Sequence, residues 1–205
     1  RYITQHIVAG LGHLQKLGAL NADDGTQRML QRAVQWLDEQ VEEDHRRMLR
    51  EFKDDTLPMP SPEDYHFLYA RSFFPQWPLA RGKNSAVDFF LERAKTNWLK
   101  CGMQQQAMIA MALHRMGDDG TATLIMESLS QRATANDDLG MYWKGFNAGS
   151  YWYEFPTETH ALMIEAYDEV AKDRARVDAL RQYLLKLKQT TDWKTTQATA
   201  EACYA

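Results

Sequence analysis

A chain of 205 residues can bury a sizeable core, and its 44% apolar share is ordinary for a water-facing globular fold. A formal net charge of −4 excludes the basic footprint that a nucleic-acid partner needs. No run of about 18 apolar residues is present to span a membrane.

Two cysteines, Cys101 and Cys203, are too few for a metal framework or a disulfide-dense scaffold. They read as free, mostly buried thiols. A Cys101–Cys203 bridge requires an oxidising compartment and two neighbouring sites. No secretory leader is visible. The chain starts at Arg1, inside an amphipathic pattern, and ends at Ala205 inside another, so it reads as a fragment of a longer protein.

Ile3, Ile7, Val8, Leu11, Leu14 and Leu17 fall at helical spacing, with Gly18 a fitting stop. Leu30, Val34, Leu37, Val41, Met48 and Phe52 form a longer stripe, and the charge run Glu42 to Arg47 on that helix predicts a solvated face with i, i+4 pairs. Pro58, Pro60 and Pro62 break the pattern. A short helix is expected over Glu63 to Ser72, closed by Pro75 and Pro78.

Val87, Phe90, Leu91, Ala94 and Trp98 make the next stripe. Ala107 to Leu113 is apolar on all sides, so its helix must be enclosed all round. Gly117 ends it, and Asp118 or Asp119 can cap a helix carrying Ala122, Ile125, Met126 and Leu129. A long loop rich in glycine and aromatics is expected over Ala135 to Phe155, with no convincing strand anywhere. Helices follow over about Thr157 to Ala171 and Asp173 to Lys188, and from about Thr195 onward.

These helices alternate in character. Residues 26–52, 83–99, 119–133 and 173–188 are amphipathic with a charged face; 2–17, 103–116, 157–171 and 195 onward are apolar and poor in charge. The alternation predicts an all-α helical-pair repeat with outer and inner helices, in one domain over 1–205. Gly10, Gly12, Ala110, Ala112, Ala198 and Ala202 would let inner helices approach closely. Both an open solenoid and a closed α/α toroid fit, and the enclosed inner helices with their aromatic-rich loops favour the toroid.

Trp193 to Ala202, with its threonines and alanines, resembles the signature helix near the end of the thioester-containing domain of α2-macroglobulins. Arg1 to Leu11 resembles an early inner helix of that domain, and Tyr151-Trp152-Tyr153 followed by Glu158 to Leu162 a third such element. The resemblance is to the large bacterial α2-macroglobulin-like proteins and covers essentially the whole chain. It implies an α/α toroid, incomplete here, within a much longer chain built mostly of β-sandwich domains. It implies an endopeptidase inhibitor in which a protease cuts a bait segment elsewhere and is trapped. The expected partners are proteases, met through the full-length protein, and other domains of the same chain. The expected location is extracytoplasmic, in the periplasm or cell envelope of a Gram-negative bacterium. No enzyme activity, catalytic residue, cofactor, metal, nucleic-acid partner or membrane contact is expected of this segment.

The family's thioester motif is C-x-E-Q, its spacing set by the meeting of i and i+3 across one helical turn, and the thioester is an acyl donor. Cys101-Gly102-Met103-Gln104 imitates it, with Met103 in place of glutamate. It lies about a hundred residues too late, because the family motif precedes the segment that resembles residues 1–17. The match reads as accidental.

Three other constellations can be weighed. The aromatics of Tyr142 to Phe155 could stack on sugar rings, but more simply pack across one mouth of the toroid. His6, His66 and His160 could gather with Asp64 and Glu158 around a metal or an acid–base site, although no ligand spacing supports it and polar residues at helix starts commonly satisfy free N–H groups. The alternative function is an α/α-toroid carbohydrate-active enzyme, a glycoside hydrolase or polysaccharide lyase. It needs two facing carboxylates from Asp64, Glu154, Glu158 and Glu165, in a cleft lined by Trp143 and Trp152. An open solenoid scaffold for protein partners is a third possibility.

Overall fold

The computed structural model describes residues 1–20, 23–52, 57–82, 85–144, 156–190, 193 and 195–205. The protein is mostly helical, and it divides into two compact units, Arg1–Cys101 and Gly102–Ala205.

The first unit holds α1 (Tyr2–Lys16), α2 (Asp24–Glu51), α3 (Pro62–Ser72) and α4 (Ala86–Asn97), followed by a 3-10 turn Trp98–Lys100. Each start has a chemical cause. Asp23 accepts from the Thr26 N–H at 2.7 Å to begin α2. Ser61 and Asp64 form a reciprocal capping box, with Pro62 in the first turn of α3. Ser85 accepts from the Asp88 N–H at 3.2 Å to begin α4.

Within this unit α1 lies on α3 and α2 on α4, and α3 also touches both even-numbered helices. The most enclosed helix is α3, buried without a break from Phe67 to Ser72. Its Arg71 side chain grips both Asp38 carboxylate oxygens at 3.0 and 3.1 Å. The same side chain donates to the carbonyls of Phe74, Trp77 and Pro78. One buried cation thus holds the proline-rich turn that ends the helix.

The apolar stripe expected to bury α1 does not do so. Val8 is buried, together with Gln5, Ala9, Gly12 and His13, while Ile3, Ile7, Leu14 and Leu17 are exposed. Close approach decides this. A Cβ added to Gly12 would lie 2.5 Å from Cγ of Phe73, so the seam with α3 forms on the glycine side. Gly10 faces open space. The charge run on α2 is likewise only partly a solvated face. Arg47 pairs with Asp44, but His45 is buried against Phe89, and Glu42 accepts from the Ala86 N–H at 2.8 Å.

The second unit holds α5 (Met103–Arg115), α6 (Asp119–Arg132), β1 (Thr134–Asn136), β2 (Gly140–Tyr142), α7 (Pro156–Ala166), α8 (Arg174–Thr190) and α9 (Thr196–Tyr204). A π-helical turn, Tyr167–Ala171, extends α7, and Lys172 in the left-handed region closes it. Here α5, α7 and α9 lie on one another in sequence, while α6 packs on α5 and α8 on α7. Ala107 and Ile109 to Leu113 of α5 are buried, as is all of α7 from Thr157 to Ala166. Ala110, Ala112, Ala198 and Ala202 are buried too. Asp118 caps α6 by accepting from the Thr121 N–H at 3.0 Å.

The strandless loop expected after α6 needs correction. Thr134 to Tyr142 is an antiparallel hairpin, with Thr134 opposite Tyr142 and Asn136 opposite Gly140. The Asn136 side chain turns it by accepting from the N–H groups of Asp138 and Leu139 at 2.8 and 2.9 Å. Three-residue strands carry almost no periodic signal. The hairpin exists because it docks on α8, where Tyr142 stacks on Tyr183 and Gln182 donates to the carbonyls of Asp137 and Asp138.

Candidate functional site

The densest group of functional side chains in the second unit lies where α9 meets α7. Glu158 and Glu165 are seven residues apart, so both face the same side of α7, and both are buried. Thr195 supplies two contacts. Its hydroxyl oxygen accepts from the Ala198 N–H to cap α9, and the hydroxyl donates to Oε1 of Glu158 at 3.3 Å. Tyr204, at the other end of α9, donates to Oε1 of Glu165 at 3.2 Å.

Arg115 reaches in from α5. It donates to Glu165 at 2.8 Å and to both Glu169 oxygens at 2.6 and 2.7 Å. One arginine therefore neutralises part of an acidic group that would otherwise repel itself.

Glu201 of α9 completes the cluster. Burial, followed by the charges of Glu165 and Glu158, pushes its carboxyl up to about 7. Burial and Glu165 push the Tyr204 hydroxyl up as well. A carboxyl that holds its proton near neutrality beside buried carboxylates can donate it. The sign of the linkage is set by the raised value. The contribution of Glu201 to stability is full below about pH 4.3, where an exposed glutamate titrates, and is lost as pH rises through about 7.

The other sequence candidates fall elsewhere. His6 and His66 do come together, their ring centroids 4.4 Å apart on the α1–α3 seam. Asp64 is held by Arg1 at 2.5 Å. His160 lies in the second unit, its Nε2 paired with the Leu180 carbonyl at 2.8 Å, and burial pushes it down to about 4. It serves packing between α7 and α8. Among the described residues, no group of three or more His, Cys, Asp or Glu could hold a metal ion.

Trp143 is buried and donates its indole N–H to the Leu129 carbonyl at 2.9 Å, beside the rings of His160 and Tyr167. With Tyr142 stacked on Tyr183, both aromatics at the start of this segment serve packing. The rest of it, 145–155, including Trp152 and Glu154, lies outside the described residues.

Neither cysteine forms a disulfide. Cys101 is partly buried, with its thiol 3.6 Å from the Asn97 carbonyl and against Tyr65, and burial pushes its pKa up. Cys203 is exposed, contrary to the expectation of a buried thiol. Cys203 is therefore expected to alkylate at least tenfold faster than Cys101 at pH 8, because the thiolate is the nucleophile and burial withholds it. Peptide mass mapping of a timed iodoacetamide reaction checks this, and equal rates would refute it.

Arg115, Thr195, Glu201 and Tyr204 were not singled out as site residues from the sequence. The available signal was the seven-residue spacing of Glu158 and Glu165 on an otherwise apolar helix, which demands partners from neighbouring elements. No family model matches the chain, and neither a curated protein nor a solved structure matches it.

Proposed function

We propose that this chain is the thioester-type helical domain, an α/α toroid of alternating inner and outer helices, of a large bacterial α2-macroglobulin-like protein that traps proteases. The observation that carries the reading is the order of packing. Within the second unit α5, α7 and α9 lie on one another, with α6 against α5 and α8 against α7; within the first unit α1 lies on α3 and α2 on α4. Two layers filled by alternate helices are what inner and outer barrels require. The signature stretch also has a structural use: Thr195 caps α9 while Ala198 and Ala202 bury against its neighbours.

In this reading the domain acts by binding and by transmitting shape change, without turnover or cofactor. Its partners are proteases, met through the full-length protein, and the other domains of that chain, outside the cytoplasm. The test uses the full-length protein and a panel of endopeptidases. Cleavage of a bait segment should be followed by loss of protease activity on protein substrates, with activity on small peptides retained. Cleavage with no protection of protein substrates would sink the reading.

One observation favours a second reading, a carbohydrate-active enzyme. Glu201, protonated near neutrality beside Glu158 and Glu165, is the kind of acid that glycoside cleavage uses. Release of reducing ends from a polysaccharide panel, abolished by Glu201→Gln, would establish it. A panel left intact would remove it.

A further inference from the structure

The first unit contains a line of histidines outside the acidic cluster described above. His6 and His13 are seven residues apart on one face of α1, and His66 lies across from them on α3. The ring of His66 lies 4.4 Å from that of His6 and 6.2 Å from that of Tyr69. His13 pairs through Nε2 with the Tyr69 hydroxyl at 2.6 Å and meets Phe73 edge-on at 5.2 Å. Tyr2 closes the other side of His6 at 4.4 Å. The seam between α1 and α3 is thus built from imidazoles and aromatic rings.

We propose that the α1–α3 seam is an acid-released latch, in which protonation of the facing pair His6 and His66 loads the contact with like charge and frees α1.

The surrounding charges allow this. The groups that act electrostatically on His66 are His6 and His13, which oppose its protonation. Burial pushes His6 down, and burial with the two neighbouring imidazoles pushes His66 down to about 3. The carboxylates packed around the seam are engaged by arginines. Asp64 of α3 and Asp44 of α2 both hold Arg1, and Asp38 of α2 holds Arg71. Arg93 and Cys101 act on Tyr65, the chain neighbour of His66 on α3. Arg1, at the start of α1, is neutralised by Asp44 and Asp64, so the charge that changes in the seam is that of the imidazoles.

The direction follows from the lowered values. An exposed histidine takes its proton near pH 6.5, so the freed helix binds protons that the closed seam refuses. The latch is fully closed above about pH 6.5 and weakens as pH falls from there toward 3. His45, buried against Phe89 with neither ring nitrogen bonded among the described residues, titrates in the same sense between α2 and α4. The test must therefore separate the seam from it.

The experiment is amide hydrogen exchange on the full chain at pH 7.5 and pH 5, corrected for intrinsic rates. Protection of α1 should fall at least about tenfold in the natural chain, the loss expected for one histidine whose pKa drops well below 6.5 on closure. The His6→Phe/His66→Phe chain keeps His45 and two flat rings in the seam, and should lose less than threefold. An equal loss in both chains, or no loss in the natural chain, overturns the latch. Should the phenylalanines reduce protection already at pH 7.5, His66→Gln carries the comparison. Its loss should be less than a third of the natural chain's, and an equal loss again overturns the proposal.

Discussion

Arg115→Ala is expected to lower the stability of the second unit by about 3–5 kcal/mol, the range for breaking a buried ion pair by removing one partner. Arg115 donates to Glu165 and Glu169, and the Glu165 side chain is only 4% exposed. Without the guanidinium, the ionised carboxylate is left in a poorly hydrated place beside Glu158 and Glu201. It must gain a proton or drag its helix toward water. The measurement is the guanidinium unfolding midpoint, with exchange protection of α7 and α9 as a local check. A second substitution isolates the cause. Glu165→Gln keeps an acceptor for Tyr204 but removes the charge, so in the Arg115→Ala background it should recover at least about 1 kcal/mol, a coupling within the range for contacting residues. If Glu165→Gln costs the same with and without Arg115, the ion pair is not what holds these helices.

The second large effect is expected from a single methyl group. Gly140 begins β2 with φ at +86°, and an added Cβ would lie 2.1 Å from the Ala179 carbonyl oxygen and 3.0 Å from the Tyr183 amide nitrogen. Both are backbone atoms of α8, so no rotamer relieves the clash. An L-residue also pays about 1–2 kcal/mol for the left-handed conformation, and overpacking adds about 1–3 kcal/mol. Gly140→Ala should therefore cost about 3 kcal/mol in the unfolding midpoint and unseat the hairpin. The Tyr142–Tyr183 stack would separate, and exchange in α8 would quicken. A neutral outcome would mean that the hairpin does not dock as described. Gly117, also at positive φ but with nothing within 4 Å of an added Cβ, is the control that reports the backbone cost alone.

Helices were legible where periodicity and capping agree. Leu30, Val34, Leu37 and Val41 are buried along α2, and Ala122, Ile125, Met126 and Leu129 along α6. The all-apolar run in α5 is enclosed, as such a run must be in water. The same logic failed on α1. Apolar spacing marks a face but does not say which neighbour meets it, and a glycine can bring a helix closer on another side.

The acidic cluster was half legible. Glu158 and Glu165 were among the candidate carboxylates of the alternative enzyme reading, but their partners come from α5 and α9, some 40 to 50 residues away. That pairing depends on which helices become neighbours, and no local pattern encodes it. The hairpin was illegible for a related reason, because its strands are too short to show alternation and owe their existence to α8.

What this sequence determined by itself is the mostly helical class, the enclosure of α5 and α7, and most of the helix ends. These follow from local chemistry: 3.6-residue periodicity, side-chain caps, and glycine and proline as breaks. Only the tertiary structure decided that His6 meets His66, that Arg115 meets Glu165, and that burial beside Glu165 and Glu158 pushes Glu201 up. Each of these depends on distance and burial between segments remote in the chain, and the energy of a charge is set by those quantities and not by its neighbours in sequence.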